Sequence, residues 1–230
     1  MGYELPTALT ADEAAELRTF ADALASSGGP GPARTFLSIV RRHLGRRSFD
    51  IMARAGFSAL FGYRRLAGPP WLAGAARRFA PLAALHRCTR DSLGKRRADE
   101  LARELILKLG LVEWSRLLPR EATRRAGRAE FMDLWRSRIK TAMGAHSDDR
   151  FELREPNEMV MTVRRCMMLQ VFDALGISHL APCLCQTDEF HLAGLAPQIS
   201  FDREQTLTAG DCCCAFRFKF QHGSKAALPR

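Results

Sequence analysis

Over residues 11–143 apolar side chains recur every three or four positions, the spacing of helix faces packed on a core. Thr10 to Glu13 has the form of a capping box, and Ala14, Leu17, Phe20, Ala21 and Leu24 follow at helical intervals, which predicts a helix over 11–26. The run Ser26-Ser27-Gly28-Gly29-Pro30-Gly31-Pro32 ends it as a flexible joint. Further helices are predicted over 33–44, 48–66, 71–93 (with a break near Pro81), 97–117 and 121–143. His86 and Cys88 have no partner at ligand spacing and are read as packing or surface residues.

After His146 the period changes. Phe151 and Leu153, then Met159, Met161 and Val163, alternate with polar residues, and Pro156-Asn157 supplies turn chemistry. A hairpin of 150–155 and 158–165 is expected, then helices over 166–176 and 183–193. Ile199, Phe201 and Arg203 begin a third strand, and Cys212, Cys214, Phe216, Phe218 and Phe220 alternate along a fourth. The fold class is therefore α+β, with a helical bundle-like part ahead of a small four-stranded antiparallel sheet with helices. The expected organisation is 1–32 as N-terminal helix and joint, 33–145 as the helical region, and 146–230 as the α+β region.

A net charge of +10 and a pI near 9.8 raise the question of nucleic acid. The basic residues fall in scattered pairs such as Arg41-Arg42, Arg77-Arg78 and Arg124-Arg125 rather than in one stripe, so a solvated surface is the expected reading and a nucleic-acid partner is disfavoured. No apolar run reaches the ~20 residues that span a bilayer, and the opening residues lack a leader pattern. The expectation is a cytoplasmic protein acting on a small molecule, with no membrane partner and with no oligomeric state implied. Seven cysteines, an odd number, then read as free thiols.

Five of those seven lie between Cys183 and Cys214, beside Asp188, Glu189 and His191. Thiols, carboxylates and an imidazole gathered this closely make either a nucleophilic site or a metal site. Cys185, Asp188 and Glu189 stand at i, i+3 and i+4, so a helix brings the thiol and a carboxylate to one side. Cys185, Asp188 and Cys214 are the candidate ligands for a divalent metal, although Cys183-x-Cys185 lacks the spacing of a zinc ribbon. Cys212 and Cys214 serve equally well as small core residues, while Cys183 and Cys213 read as packing. Arg203 and Arg164 are the candidates to hold a substrate carboxylate, with Glu189 and His191 as further substrate-binding candidates.

The order of these residues carries more than any one spacing. A strand running into Cys166 and a helix are followed by Cys185-x-x-Asp188-Glu189 and Pro197-x-Ile199-x-Phe201-x-Arg203-x-x-Thr206-Leu207. Gly210-Asp211-x-x-Cys214-x-Phe216-x-Phe218 closes the series. This arrangement resembles the L-2-amino-thiazoline-4-carboxylic acid hydrolase family over the last 75 or so residues. The resemblance implies hydrolysis of a cyclic C=N bond, opening a thiazoline to a carbamoyl amino acid, with Cys166, Cys185, Asp188 and Cys214 at the matching positions. Cys185, or a metal-bound water, would attack the amidine-like carbon while Asp188 handles the ring nitrogen's proton. The sequence departs from the family pattern at Ala215, where an acidic residue often stands, and in its extra thiols Cys212 and Cys213. A biosynthetic or tailoring role on another small molecule fits the same residues, and a non-catalytic metal- or small-molecule-binding regulatory domain is the alternative.

Overall fold

The computed structural model describes residues 9–27, 29–62, 69–140, 148–155 and 157–221. The helices, in chain order, are α1 (Ala11–Ser27), α2 (Pro32–Leu44), α3 (Ser48–Gly62), α4 (Pro70–Leu93), α5 (Lys95–Leu117), α6 (Arg120–Arg124) and α7 (Arg128–Leu134). A π-helical turn, Trp135–Lys140, follows α7. Strands β1 (Asp148–Glu155) and β2 (Glu158–Arg165) lead into α8 (Met167–Ala174), a 3-10 turn (Ser178–Leu180) and α9 (Ala181–Ala193). Strands β3 (Ile199–Gln205) and β4 (Cys214–Phe220) close the described chain.

The chain forms two compact units. The first comprises Met1–Val112 and Met168–Thr187, the second Glu113–Met167 and Asp188–Arg230. The boundary falls within α5 and within α9, so each of these helices contributes to both.

In the first unit the capping box is made as expected: Thr10 N–H donates to Glu13, and Glu13 N–H donates to the Thr10 hydroxyl at 3.2 Å. α3 packs against α4, and α4 runs unbroken through Pro81. Small buried side chains flank that proline, Ala76, Ala80, Ala83 and Ala84 among them, which lets neighbouring elements approach closely. Gly94 turns the chain between α4 and α5 at φ +87°, a conformation that only glycine adopts without strain. The predicted helix over 48–66 is seen to Gly62, its remainder lying outside the described residues.

The second unit is built on a sheet of order β1-β2-β4-β3, antiparallel throughout. Met159, Met161 and Val163 of β2, Phe216, Phe218 and Phe220 of β4 and Ile199 of β3 share one face. Phe131, Trp135, Leu118, Leu192 and Leu195 cover it. Aromatic edges interlock here: Phe131 meets Phe218 at 5.1 Å and Phe220 at 5.4 Å between ring centres.

Two further expectations are corrected. The single helix over 121–143 is broken after Arg124: α6 ends with Arg125 as its C-cap, and Gly127 caps the start of α7, its N–H held by Glu130 at 3.0 Å; residues 141–143 lie outside the described ones. The fourth strand starts at Cys214, not Cys212. Cys212 is exposed rather than facing the core, and a 3-10 turn (Leu207–Ala209) joins β3 towards β4.

Candidate functional site

Alternation along β3 turns Ile199, Phe201 and Arg203 to the core face, which places a guanidinium beneath an aromatic layer. Arg203 is only 4% exposed and lies 5.6 Å above the Phe216 ring. It reaches the two carboxylates of α9: it donates to Glu189 Oε1 at 2.6 Å, and its Nη1 lies 3.7 Å from Asp188 Oδ2. The other oxygen of Asp188 accepts a hydrogen bond from Trp114 Nε1 at 3.0 Å.

Asp188 is thus tied on one side by a neutral donor and on the other by a more distant charge. Although 26% of its side chain is exposed, burial raises its pKa to about 7, against the pull of Arg203 and the Trp114 hydrogen bond. The Glu189 charge pushes the same way as burial. Near neutral pH this carboxyl exists in both protonation states, the condition for passing a proton in either direction.

Trp114 is itself fixed. Its indole stacks on His191 with ring centres 5.3 Å apart and 19° between planes. His191 is buried, and its Nε2 donates to the Leu118 carbonyl at 2.8 Å. Burial, helped by the nearby Arg120 charge, lowers its pKa to about 3, so the ring is neutral. Arg120 and Arg124 hold the end of α9 at its last carbonyls: Arg120 donates to Phe190 O at 3.1 Å, Arg124 to Gly194 O at 2.6 Å. A β-carbon on Gly194 would lie 2.3 Å from the Arg120 guanidinium carbon, so a larger residue here would have to push that side chain aside.

Cys214 begins β4 on the same face. Its Sγ accepts from Leu207 N–H at 3.3 Å and lies 3.7 Å from the Thr206 hydroxyl. Cys166 packs half-buried against the same aromatic core, just past the end of β2. Arg164, on the opposite face of β2, is exposed. Of the two candidate arginines it is therefore Arg203 that meets the acidic pair.

In the first unit, α9 presents Cys183 and Cys185. Cys183 is buried and its thiol is pushed up to about 11, which keeps it protonated and inert as a packing residue. Cys185 is half-buried. Thr187 of this segment lies so close to Gly110 of α5 that a β-carbon there would meet its methyl at 2.6 Å.

The first unit also contains a group not legible in the sequence. His86 is not an isolated packing residue. It lies buried with Nε2 2.7 Å from Asp99 Oδ1, and His179 Nε2 approaches the same oxygen at 2.9 Å. Lys95 donates to Asp99 Oδ2 at 2.8 Å. The only hint in the sequence was that Gly94 reverses the chain between His86 and Asp99. His179 is 80 residues from Asp99, beyond the reach of any local pattern.

The chain is thus α+β, with the paired carboxylates of α9 meeting an arginine on the core face of a small antiparallel sheet. The description of the L-2-amino-thiazoline-4-carboxylic acid hydrolase family matches residues 75–218, well over half of the sequence. The chain belongs to that family. It is also similar, at 16% identity, to a chain from the structural study "Probing the function of heme distortion in the H-NOX family". That match covers 86% of this chain and 98% of the other with a TM-score of 0.32, a likeness too loose to bear on fold or function. No curated protein matches the sequence. Among the described residues no helix is long and apolar enough to cross a membrane.

Proposed function

We propose that the chain hydrolyses a small cyclic C=N substrate of the 2-amino-thiazoline-4-carboxylate type, in a biosynthetic or tailoring setting, with Asp188 as its acid–base group. The observation that supports this reading most strongly is a carboxyl with a pKa of about 7 held between Trp114 and Arg203. A nucleophile, the Cys185 thiolate or a water, adds at the ring carbon between nitrogen and sulfur. The ring nitrogen takes up the proton of the adding thiol or water, and protonated Asp188 delivers the second proton to it as the carbon–nitrogen bond breaks. Ionised Asp188 then takes a proton back from the water that completes the reaction, and the net change is the addition of one water.

Glu189, with half its side chain exposed, is the replaceable partner of Arg203. A substrate carboxylate that displaces it gains a buried guanidinium with fixed geometry. Cys214 and Cys166 line the same sheet face and complete the matching positions, and His191 acts through Trp114 as a positioning residue.

The test is turnover of 2-amino-thiazoline-4-carboxylate by the purified full chain, followed as ring opening by chromatography. Asp188→Asn should lower kcat by roughly 100-fold or more, and the wild-type rate should change with an apparent pKa near 7. Equal rates for wild type and Asp188→Asn would sink the assignment of Asp188. Cys185→Ala separates the two nucleophiles: loss of turnover assigns attack to the thiol, retention assigns it to water.

A further inference from the structure

His86, Asp99 and His179 stand outside the hydrolytic reading. Each offers one ligand atom, and these atoms all lie within 4.8 Å of one another. We propose that the two imidazoles and the Asp99 carboxylate form a binding site for one divalent transition metal of the zinc or iron class.

Two features support a metal. First, both rings turn the same nitrogen, Nε2, onto the same oxygen, Oδ1, while Lys95 donates to Oδ2. The three ligand atoms thus converge on one point, and His179, 38% exposed, has water available to its ring without Asp99. Second, two imidazoles and one carboxylate oxygen are a borderline-soft set that suits zinc or ferrous iron and leaves a position for water.

Binding requires only a small change in these distances. With bonds of ~2.0–2.1 Å, tetrahedral zinc sets neighbouring donors ~3.3 Å apart. The observed 2.7 and 2.9 Å therefore require each ring to retreat by roughly half an ångström. His179 can make that move: it sits on a short 3-10 turn with its ring partly in solvent, which is also the entry path for the ion. Lys95 then holds the carboxylate from outside the metal's own ligands.

The experiment uses the full chain, purified without a histidine tag, stripped with chelator under reducing conditions and titrated with Co2+ as the spectroscopic probe. The expected result is saturation at one ion per chain, visible absorption of nitrogen/oxygen ligation without an intense thiolate-to-cobalt band, and a raised Tm. His179→Ala, an exposed and foldable change, should weaken binding by about 100-fold, a typical loss for a perturbed ligand set. His179→Gln, which keeps a hydrogen-bond donor, should weaken it as well while leaving the fold intact. Absence of saturable binding, an intense thiolate band in the wild type, or unchanged affinity in both His179 variants would each overturn the proposal. None of these readouts depends on hydrolysis, so the site and the enzyme activity succeed or fail separately.

Discussion

Two aspartates meet cations in this protein with opposite results. Asp99, fully buried in the first unit, accepts from His86, Lys95 and His179 at 2.7–2.9 Å and is held below the ordinary carboxylate range despite its burial. Asp188, in the second unit, has one neutral donor at 3.0 Å and a guanidinium only at 3.7 Å, and burial carries it to about 7. Solvent exclusion pushes both the same way. The number and closeness of hydrogen-bond donors decides the outcome. A carboxylate surrounded by short charge-assisted bonds is a fixed anion; one left a little short of partners becomes a proton carrier.

The largest expected break in this comparison is in stability. Asp99→Ala removes the common acceptor of three donors and should cost about 3–5 kcal/mol, as breaking a buried charge network does. Denaturant unfolding at pH 7 checks it. Asp188→Ala should cost clearly less, because the ionised carboxylate is itself poorly solvated there. An equal loss in the two variants would mean that both aspartates are structural.

The two sites also predict opposite pH slopes. Asp188 holds its proton more tightly folded than unfolded, so its contribution is present at low pH and is lost as pH rises from about 4 to about 7. Asp99 has its folded pKa lowered, so its contribution is present above about 4, the unfolded value, and is lost as pH falls through the folded pKa. Tm measured across pH 3–9 for wild type, Asp188→Asn and Asp99→Asn should lose the Asp188 slope between about pH 4 and 7 in the first variant only, and the slope below about pH 4 in the second only. His191, lowered to about 3, adds stability that is lost as pH falls from about 6.5 toward 3.

Smaller changes sharpen the Asp188 half. Arg203→Gln removes the charge that opposes burial, so the apparent pKa near 7 in the pH–rate profile should move upward, or in a chemical-shift titration of the Asp188 carboxyl if turnover is lost. A downward move would show that Arg203 does not face this group. Trp114→Phe keeps the ring over His191 but deletes the N–H donor. It should raise the same pKa by less and cost about 1 kcal/mol of stability.

How far the sequence could be read follows from range. The capping box at Thr10–Glu13 and the alternation that puts Phe216, Phe218 and Phe220 on one face both depend on near neighbours, and both were legible. So was the helical spacing of Cys185, Asp188 and Glu189, since one helix, α9, carries all three. The break at Gly127 went unread because the apolar residues assigned to that helix, Phe131, Leu134 and Trp135, all lie beyond it. The late start of β4 was hidden by Cys212, whose place in the alternation matched a core position that it does not occupy.

What the sequence determined by itself, then, is the order of helices and strands, the α+β class and the set of reactive side chains, since hydrophobic period and turn residues act over a few positions. Tertiary structure alone decided which acid each cation meets. Arg203 pairs with residues 14 and 15 positions away across a sheet–helix packing, and His179 meets Asp99 across 80. The same long-range packing set the two aspartates apart, because a pKa depends on burial and on donors brought in from distant parts of the chain. Residue type alone gives both of them the same starting value.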